Sequence, residues 1–179
     1  MTRYRIIQDH ALYFVTFSVV DWLPIFVDED SCSIVANSLN HCHENKWLRT
    51  NAYVIMPTHL HAIVFDEDFD AERLNRTLAD LRKFTGRRLT EYVHRHLPRS
   101  FGESLRSEAG KDRKHRLWQS GTHPEAIYTQ PFWREKLDYI HANPLRKGLV
   151  HEAHHWRFSS AAFWLNEGES DVILSAVDW

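Results

Sequence analysis

Cysteine, glycine and proline are scarce in this chain of 179 residues, with 2, 6 and 6 copies respectively. A composition so poor in Gly and Pro, with 43% apolar and 26% charged residues, excludes the fibrous and disordered classes. Cys32 and Cys42 fall in one predicted helix, where a rise of 1.5 Å per residue separates their backbones by ~15 Å, too far for a disulfide. They read as buried free thiols. Long apolar runs are also missing. The run at 12–17, the longest near the start, is far shorter than the ~20 residues that cross a bilayer, and no basic-then-apolar leader precedes a small-residue cleavage site. These absences predict a cytoplasmic protein with no membrane partner. The length suits one domain, residues 1–179, around one core.

What the chain does have is an uneven charge distribution. The formal net charge is only −2, yet Arg73 to Arg116 holds 13 Lys and Arg against 5 Asp and Glu, leaving 9 against 19 elsewhere. Such a segment either solvates a helix face and a basic loop or binds phosphates.

Residues 12–20, LYFVTFSVV, are rich in aromatic and β-branched types and predict the first strand. From Asp28 to about Asn45, Cys32, Ile34, Val35, Leu39 and Cys42 recur at helical spacing. AYVIMP (52–57) and HLHAIVF (59–65) read as neighbouring strands joined tightly at Pro57-Thr58. Asp70 opens a long helix whose apolar stripe is Leu74, Leu78, Leu81, Leu89, Tyr92 and Val93, with Arg73, Arg76, Lys83, Arg87 and Arg88 largely off it. Residues 98–114 lack periodicity and read as a mobile loop, after which HRLWQSG and EAIYT supply a last strand or hairpin. A further helix starts at Gln130-Pro131 and is expected to stop at Asn143-Pro144. The tail, with Trp156, Phe158, Phe163, Trp164 and Leu165, is aromatic enough to pack back on the domain. The order strand, helix, strand, strand, helix, strand, helix predicts an α+β, ferredoxin-like antiparallel sheet. Its helices lie on one face, and a C-terminal helix and tail are added.

With 13 histidines, short histidine motifs arise by chance and each needs a geometric test. His41 and His43 lie in a helix, where i and i+2 side chains point apart, and His94 and His96 lie at a helix end. His59 and His61 fall in a strand, so both imidazoles share one face and can address one ion; otherwise they are two satisfied polar residues on an open sheet face. His151-Glu152-Ala153-His154-His155 spells the zinc-protease string HExxH. It follows Pro144 and Gly148 and lacks the long amphipathic helix that chemistry requires, so a solvated polar loop is predicted.

PTHLHAIV followed by KLDYIHANPLRKGLV resembles the single-tyrosine HUH transposases, named for His, hydrophobe, His, and especially the REP-associated tyrosine transposases. The supporting matches are YFVTF at 13–17, YVIMPTHLHAIV at 53–64, YIHANPLRKGLV at 139–150 and WRFSS at 156–160, in family order over nearly the whole chain. The resemblance implies a metal-dependent enzyme on a ferredoxin-like scaffold that nicks and joins single-stranded or hairpin DNA. It makes His59 and His61 metal ligands and Tyr139 the nucleophile. Related enzymes place a glutamine four residues after the tyrosine as third ligand, and Asn143 holds that position. The ion expected is Mg²⁺ or Mn²⁺, a Lewis acid whose shell phosphate oxygens can complete. Because free tyrosine has a pKa of ~10, Arg146 or Lys147, or the metal, must favour the phenolate. The basic segment, with Arg73, Arg76, Lys83, Arg87 and Arg88, then acquires a DNA backbone to follow, and Trp118 or a nearby aromatic an unpaired base to stack. A DNA-hairpin-binding protein that no longer transposes is the alternative, and either is a monomer or a homodimer.

Overall fold

The computed structural model describes residues 3–5, 11–109, 115–121, 124–166 and 168–179; positions 110–114 of the expected basic loop lie outside them. The strands are β1 (Arg3–Arg5), β2 (Leu12–Ser18), β3 (Leu48–Met56), β4 (His59–Asp66), β5 (Glu125–Ile127) and β6 (Ala176–Asp178). The helices are α1 (Glu29–Asn45), α2 (Ala71–His96), α3 (Arg99–Ser107), α4 (Gln130–Arg146) and α5 (Ala161–Asn166). An antiparallel sheet runs in the order β3, β4, β2, β5, with α1 and α2 as its two crossovers, which is the ferredoxin-like arrangement expected. β1 and β6 form a separate parallel pair.

The two crossover helices start where their capping residues dictate. Asp28 accepts the Ser31 backbone N–H at 2.9 Å and opens α1 through a capping box, and Asp70 accepts the Arg73 N–H at 2.9 Å to open α2. The Tyr92 hydroxyl donates to Asp28, tying the end of α2 to the start of α1.

Period-two alternation sorts the core into two faces. Val15, Phe17, Tyr53, Ile55, Leu60 and Val64 meet α1 and α2 on one; Leu12, Val54, Met56, Ile63 and Phe65 meet α4 on the other. Each such buried side chain contributes roughly 1.5–3 kcal/mol of transfer free energy. The expected pair of helices thus shares one face, and the added helix takes the opposite one.

Asn51 fixes that added helix. Between Thr50 and Ala52 the β3–β4 register slips, leaving Asn51 as a bulge residue. Its side chain accepts the Trp133 indole N–H at 2.7 Å and donates to the Ser175 carbonyl at 2.8 Å, while its own carbonyl accepts the Trp164 indole N–H at 3.0 Å. One buried residue therefore joins α4 and the C-terminal tail through its side-chain amide, and α5 through its main-chain carbonyl, to the sheet. The free edge of β3 is closed by the WRFSS segment: Ile55 N–H donates to the Phe158 carbonyl at 2.8 Å and Ser160 N–H to the Tyr53 carbonyl at 2.9 Å.

Several boundaries differ from expectation. β3 begins at Leu48 rather than Ala52. Within 98–114 lies a helix, α3, which buries Leu105 and packs Phe101 on the core; at 9 residues it is too short to display a period. α4 passes through Pro144 and ends where Gly148 adopts a left-handed backbone, φ 69°. A proline in the last turn forfeits one intrahelical bond without ending the helix, and the glycine makes the true stop. Residues 115–121 contribute an isolated bridge, Val19 to Trp118, and only Glu125–Ile127 forms the last strand. In the tail Leu165 is exposed, while the aromatics pack inward as expected. Both cysteines are free and buried, and burial pushes their thiols up to about 12 and about 11. Among the described residues no helix is long and apolar enough to cross a membrane.

Candidate active site

His59 and His61 project from β4, an interior strand, toward the face covered by α4. Their ring centroids lie 4.5 Å apart with planes at 70°. Each Nδ1 is held by a threonine hydroxyl: Thr58 at 2.9 Å for His59, and Thr16 at 2.8 Å for His61. Thr16 lies directly opposite His61 in the β2–β4 register, so sheet pairing delivers this partner. Phe14, two residues earlier on the same face, stacks on His61 at 5.2 Å and 25°. Burial, then the charge of Lys147, lowers His59 to about 4; burial, then His59 and Lys136, lowers His61 to about 3. Both imidazoles are therefore neutral near pH 7, with Nδ1 engaged and Nε2 left for a ligand. That is the state a divalent ion requires of histidine, and the hydroxyl partners fix ring orientation as outer-shell groups do in metal sites.

Tyr139 approaches the pair from α4. Its ring centroid is 5.3 Å from that of His61 and 6.0 Å from that of Phe14, and the residue stays 38% exposed. Helical spacing puts Glu135, Lys136, Ala142 and Arg146 on the same side, and with Phe14, Thr16 and His61 they line an open cleft of about 590 Å³. The Arg146 guanidinium carbon sits 5.7 Å from the Tyr139 ring centroid. Lys136 lies 4.9 Å over the Phe14 ring and 2.7 Å from the Glu125 carboxylate. Sequence reasoning missed Phe14 and Lys136; the available signals were the Phe14–Thr16 alternation and the three-residue step from Lys136 to Tyr139. Asn143 lies buried one turn beyond Tyr139, and Ala142 lines the cleft in its place. His141 points away into the core, where its Nε2 meets the Ser160 hydroxyl at 2.9 Å and burial lowers its pKa to about 4. Ser160 Oγ also accepts the Tyr53 N–H at 3.0 Å, so His141 pins the middle of α4 to β3.

The basic residues divide. Arg146 and Lys147 stand at the cleft end of α4. Arg73, Arg76, Lys83, Arg87 and Arg88 lie on α2, which packs on the opposite face of the sheet. Arg73 is bound to carboxylates: its Nε donates to Asp66 Oδ2 at 2.7 Å, and its Nη2 to Asp66 Oδ1 at 2.5 Å and Asp68 Oδ2 at 2.6 Å. Burial works to raise the Asp66 carboxyl, and Arg73 with the Asp68 and Asp70 N–H groups outweighs it and holds it low. Arg76 lies 3.7 Å from Glu72 and Arg88 3.5 Å from Glu91, both exposed pairs. Trp118 is buried, its indole N–H donating to Thr85 Oγ1 at 3.1 Å, so it is a core residue and offers no face to a base.

The HExxH string forms one 3₁₀ turn, Ala153–His155, as its context predicts. Glu152, His154 and His155 nonetheless bring one ligand atom each within 4.8 Å of one another, a group able to hold a metal ion.

No family model and no curated protein matches the chain. A solved structure of a REP-associated tyrosine transposase bound to a REP hairpin is similar over 100% of this chain and 95% of that one, at 19% identity and a TM-score of 0.55. A protein assigned as a transposase from Deinococcus radiodurans R1 covers 78% of this chain and 95% of its own, at 13% identity and a TM-score of 0.48. The first similarity establishes a shared fold.

Proposed function

We propose that this chain nicks and rejoins single-stranded DNA through a phosphotyrosine at Tyr139, on hairpin or repetitive palindromic DNA, with Mg²⁺ or Mn²⁺ held at His59 and His61. The observation that carries the reading is the meeting of Tyr139 with His61, ring centroids 5.3 Å apart, from elements remote in sequence. The fold shared with a transposase that binds a REP hairpin supports it.

The Tyr139 phenolate oxygen attacks phosphorus and the bond to the 3′ oxygen breaks. The leaving oxygen takes up a proton, giving a 5′-phosphotyrosine and a free 3′-hydroxyl. A later 3′-hydroxyl reverses the step and releases the tyrosine, so the bond energy is conserved and no other energy source is required. Arg146, beside the Tyr139 ring, and Lys136 are the cations that would contact the scissile phosphate in a cleft also lined by Glu135 and Asp138. His59 and His61 would hold the ion through Nε2, and Asn143, buried one turn beyond Tyr139 on α4, would have to turn its amide oxygen toward them to serve as the proposed third ligand. The ion would supply Lewis acidity at the scissile phosphate. Lys147 contacts phosphate next to the cleft. Arg76, Lys83, Arg87 and Arg88 form a second, remote stripe that a hairpin stem reaches by passing around the sheet, whereas Arg73 serves to hold Asp66.

The test is incubation with a pool of single-stranded hairpin DNAs and Mn²⁺, followed by denaturation. A covalent adduct mapped to Tyr139 is expected, and Tyr139→Phe is expected to bind DNA without forming it. An adduct persisting in the Phe variant overturns the assignment. Retention of hairpins with no adduct under any divalent ion marks a hairpin-binding protein instead.

A further inference from the structure

The chain leaving β2 places an indole beside the histidine pair. Trp22 is 57% exposed, and its ring centroid lies 6.1 Å from that of His59, edge to face at 83°. Its backbone is left-handed at two consecutive non-glycine residues, Asp21 and Trp22, both at φ 52°. The surroundings enforce this conformation. Trp22 N–H donates to the Val19 carbonyl at 3.1 Å and Leu23 N–H to Val20 at 3.2 Å, while Val20 N–H is tied to Leu117 at 2.8 Å. Val19 N–H donates to the Thr58 carbonyl at 3.0 Å, and Phe26 N–H to Pro57 at 3.1 Å. The β3–β4 turn that carries Thr58 and His59 therefore anchors the Trp22 turn on both sides.

Folding gives no account of this ring, which joins neither core cluster. Trp47 is a useful contrast: it too is exposed with a positive φ of 54°, but the Arg73 guanidinium lies 4.9 Å over its ring. Among the described residues Trp22 has no such cover, and a large aromatic surface held in water beside a phosphate-handling site is what an unpaired base stacks on.

We infer that Trp22 is a stacking platform for an unpaired nucleobase of single-stranded DNA, holding the strand so that the adjoining phosphate passes His59 into the cleft lined by His61 and Tyr139. The inference rests on reading that cleft as a DNA-nicking site. Every base has a π-face, so stacking here positions the strand without selecting its sequence.

The test compares, in EDTA, a blunt hairpin with the same hairpin carrying a single-stranded tail in which 2-aminopurine replaces each base in turn. The protein is expected to bind the tailed DNA about tenfold or more tightly and to quench the probe at one tail position. Trp22→Ala and Trp22→Gly are expected to lose both effects while keeping blunt-hairpin affinity, and Trp22→Tyr to retain most of them. Glycine also accommodates the left-handed backbone at this position, and blunt-hairpin affinity kept in that variant separates loss of stacking from misfolding. Unchanged tail affinity and quenching in Trp22→Gly, in a protein that still forms the Tyr139 adduct, overturns the stacking role alone. A protein that neither binds hairpins nor forms the adduct overturns the nicking reading, and the stacking role with it.

Discussion

His59 and His61 project from an interior strand of the sheet, whereas His154 and His155 project from a single 3₁₀ turn. Behind each ring of the first pair stands a threonine hydroxyl on Nδ1, and burial keeps both rings neutral. The second group has a Glu152 contact at 3.4 Å and a ring contact of 4.4 Å between its two histidines, with Glu152 and His155 exposed. Proximity of ligand atoms is common to both. What differs is the hydroxyl partner that holds each ring's orientation before any ion arrives, supplied to His61 by sheet register and to His59 by the turn residue before it.

The sharpest way to break this comparison is to remove ligands from each group. His59→Ala or His61→Ala is expected to lower divalent-dependent cleavage of hairpin DNA by more than about 100-fold, with Glu152→Ala and His154→Ala within about twofold of the parent. The opposite pattern would move the proposed metal site to the 3₁₀ turn. Next in size, Thr16→Val and Thr58→Val leave the imidazoles in place but free to rotate. Metal titration by calorimetry should show affinity reduced roughly 10- to 100-fold, and an unchanged affinity would mean that the hydroxyls do not orient the rings.

A third expectation concerns acid. His59 and His61 titrate at about 4 and about 3 when folded, against 6.5 when unfolded, so as pH falls the unfolded chain takes up protons first. The stability these neutral rings contribute is complete above about pH 6.5 and is lost as pH falls toward their folded values. Urea midpoints of the metal-free protein should decline from pH 7 to pH 4. A His59→Gln/His61→Gln variant should flatten the decline, leaving the parts due to His141 and His43, which burial also holds low, and near pH 4 to paired carboxylates such as Asp66. A slope untouched by the double substitution would count against their burial. The smallest effect belongs to Glu152→Gln, an exposed partner whose loss should change unfolding free energy by less than about 0.5 kcal/mol.

Much of this was legible along the chain because it depends on local period. Alternation in HLHAIVF put His59 and His61 on one side of a strand, and the stripe from Leu74 to Val93 marked α2, since burial on one face of a regular element imprints its repeat on the residues. Period was silent where elements were short, as in α3, and where a single residue overrode it, as Gly148 did for α4. It was also silent on contacts between elements. Trp118 and Trp22 are both tryptophans near basic or polar residues, yet one is sealed against Thr85 and the other stands in water. Arg73 reads as one more cation on a helix until Asp66, only 2% exposed, is found beneath it.

By itself, then, the amino-acid order determined the order of the four sheet strands and their crossover helices and the strand faces, and the resemblance carried by the motifs around His59 and Tyr139 supplied the expectation of phosphoryl chemistry. Tertiary structure alone decided which face α4 covers, and with it that Tyr139 meets His61 while the α2 cations lie behind the sheet. It also recruited Phe14, Lys136 and Trp22. The reason is physical: side-chain direction follows from backbone period, but distance across a fold follows from packing. That packing hangs on single contacts such as the Asn51 amide between Trp133 and Ser175, which no local pattern encodes.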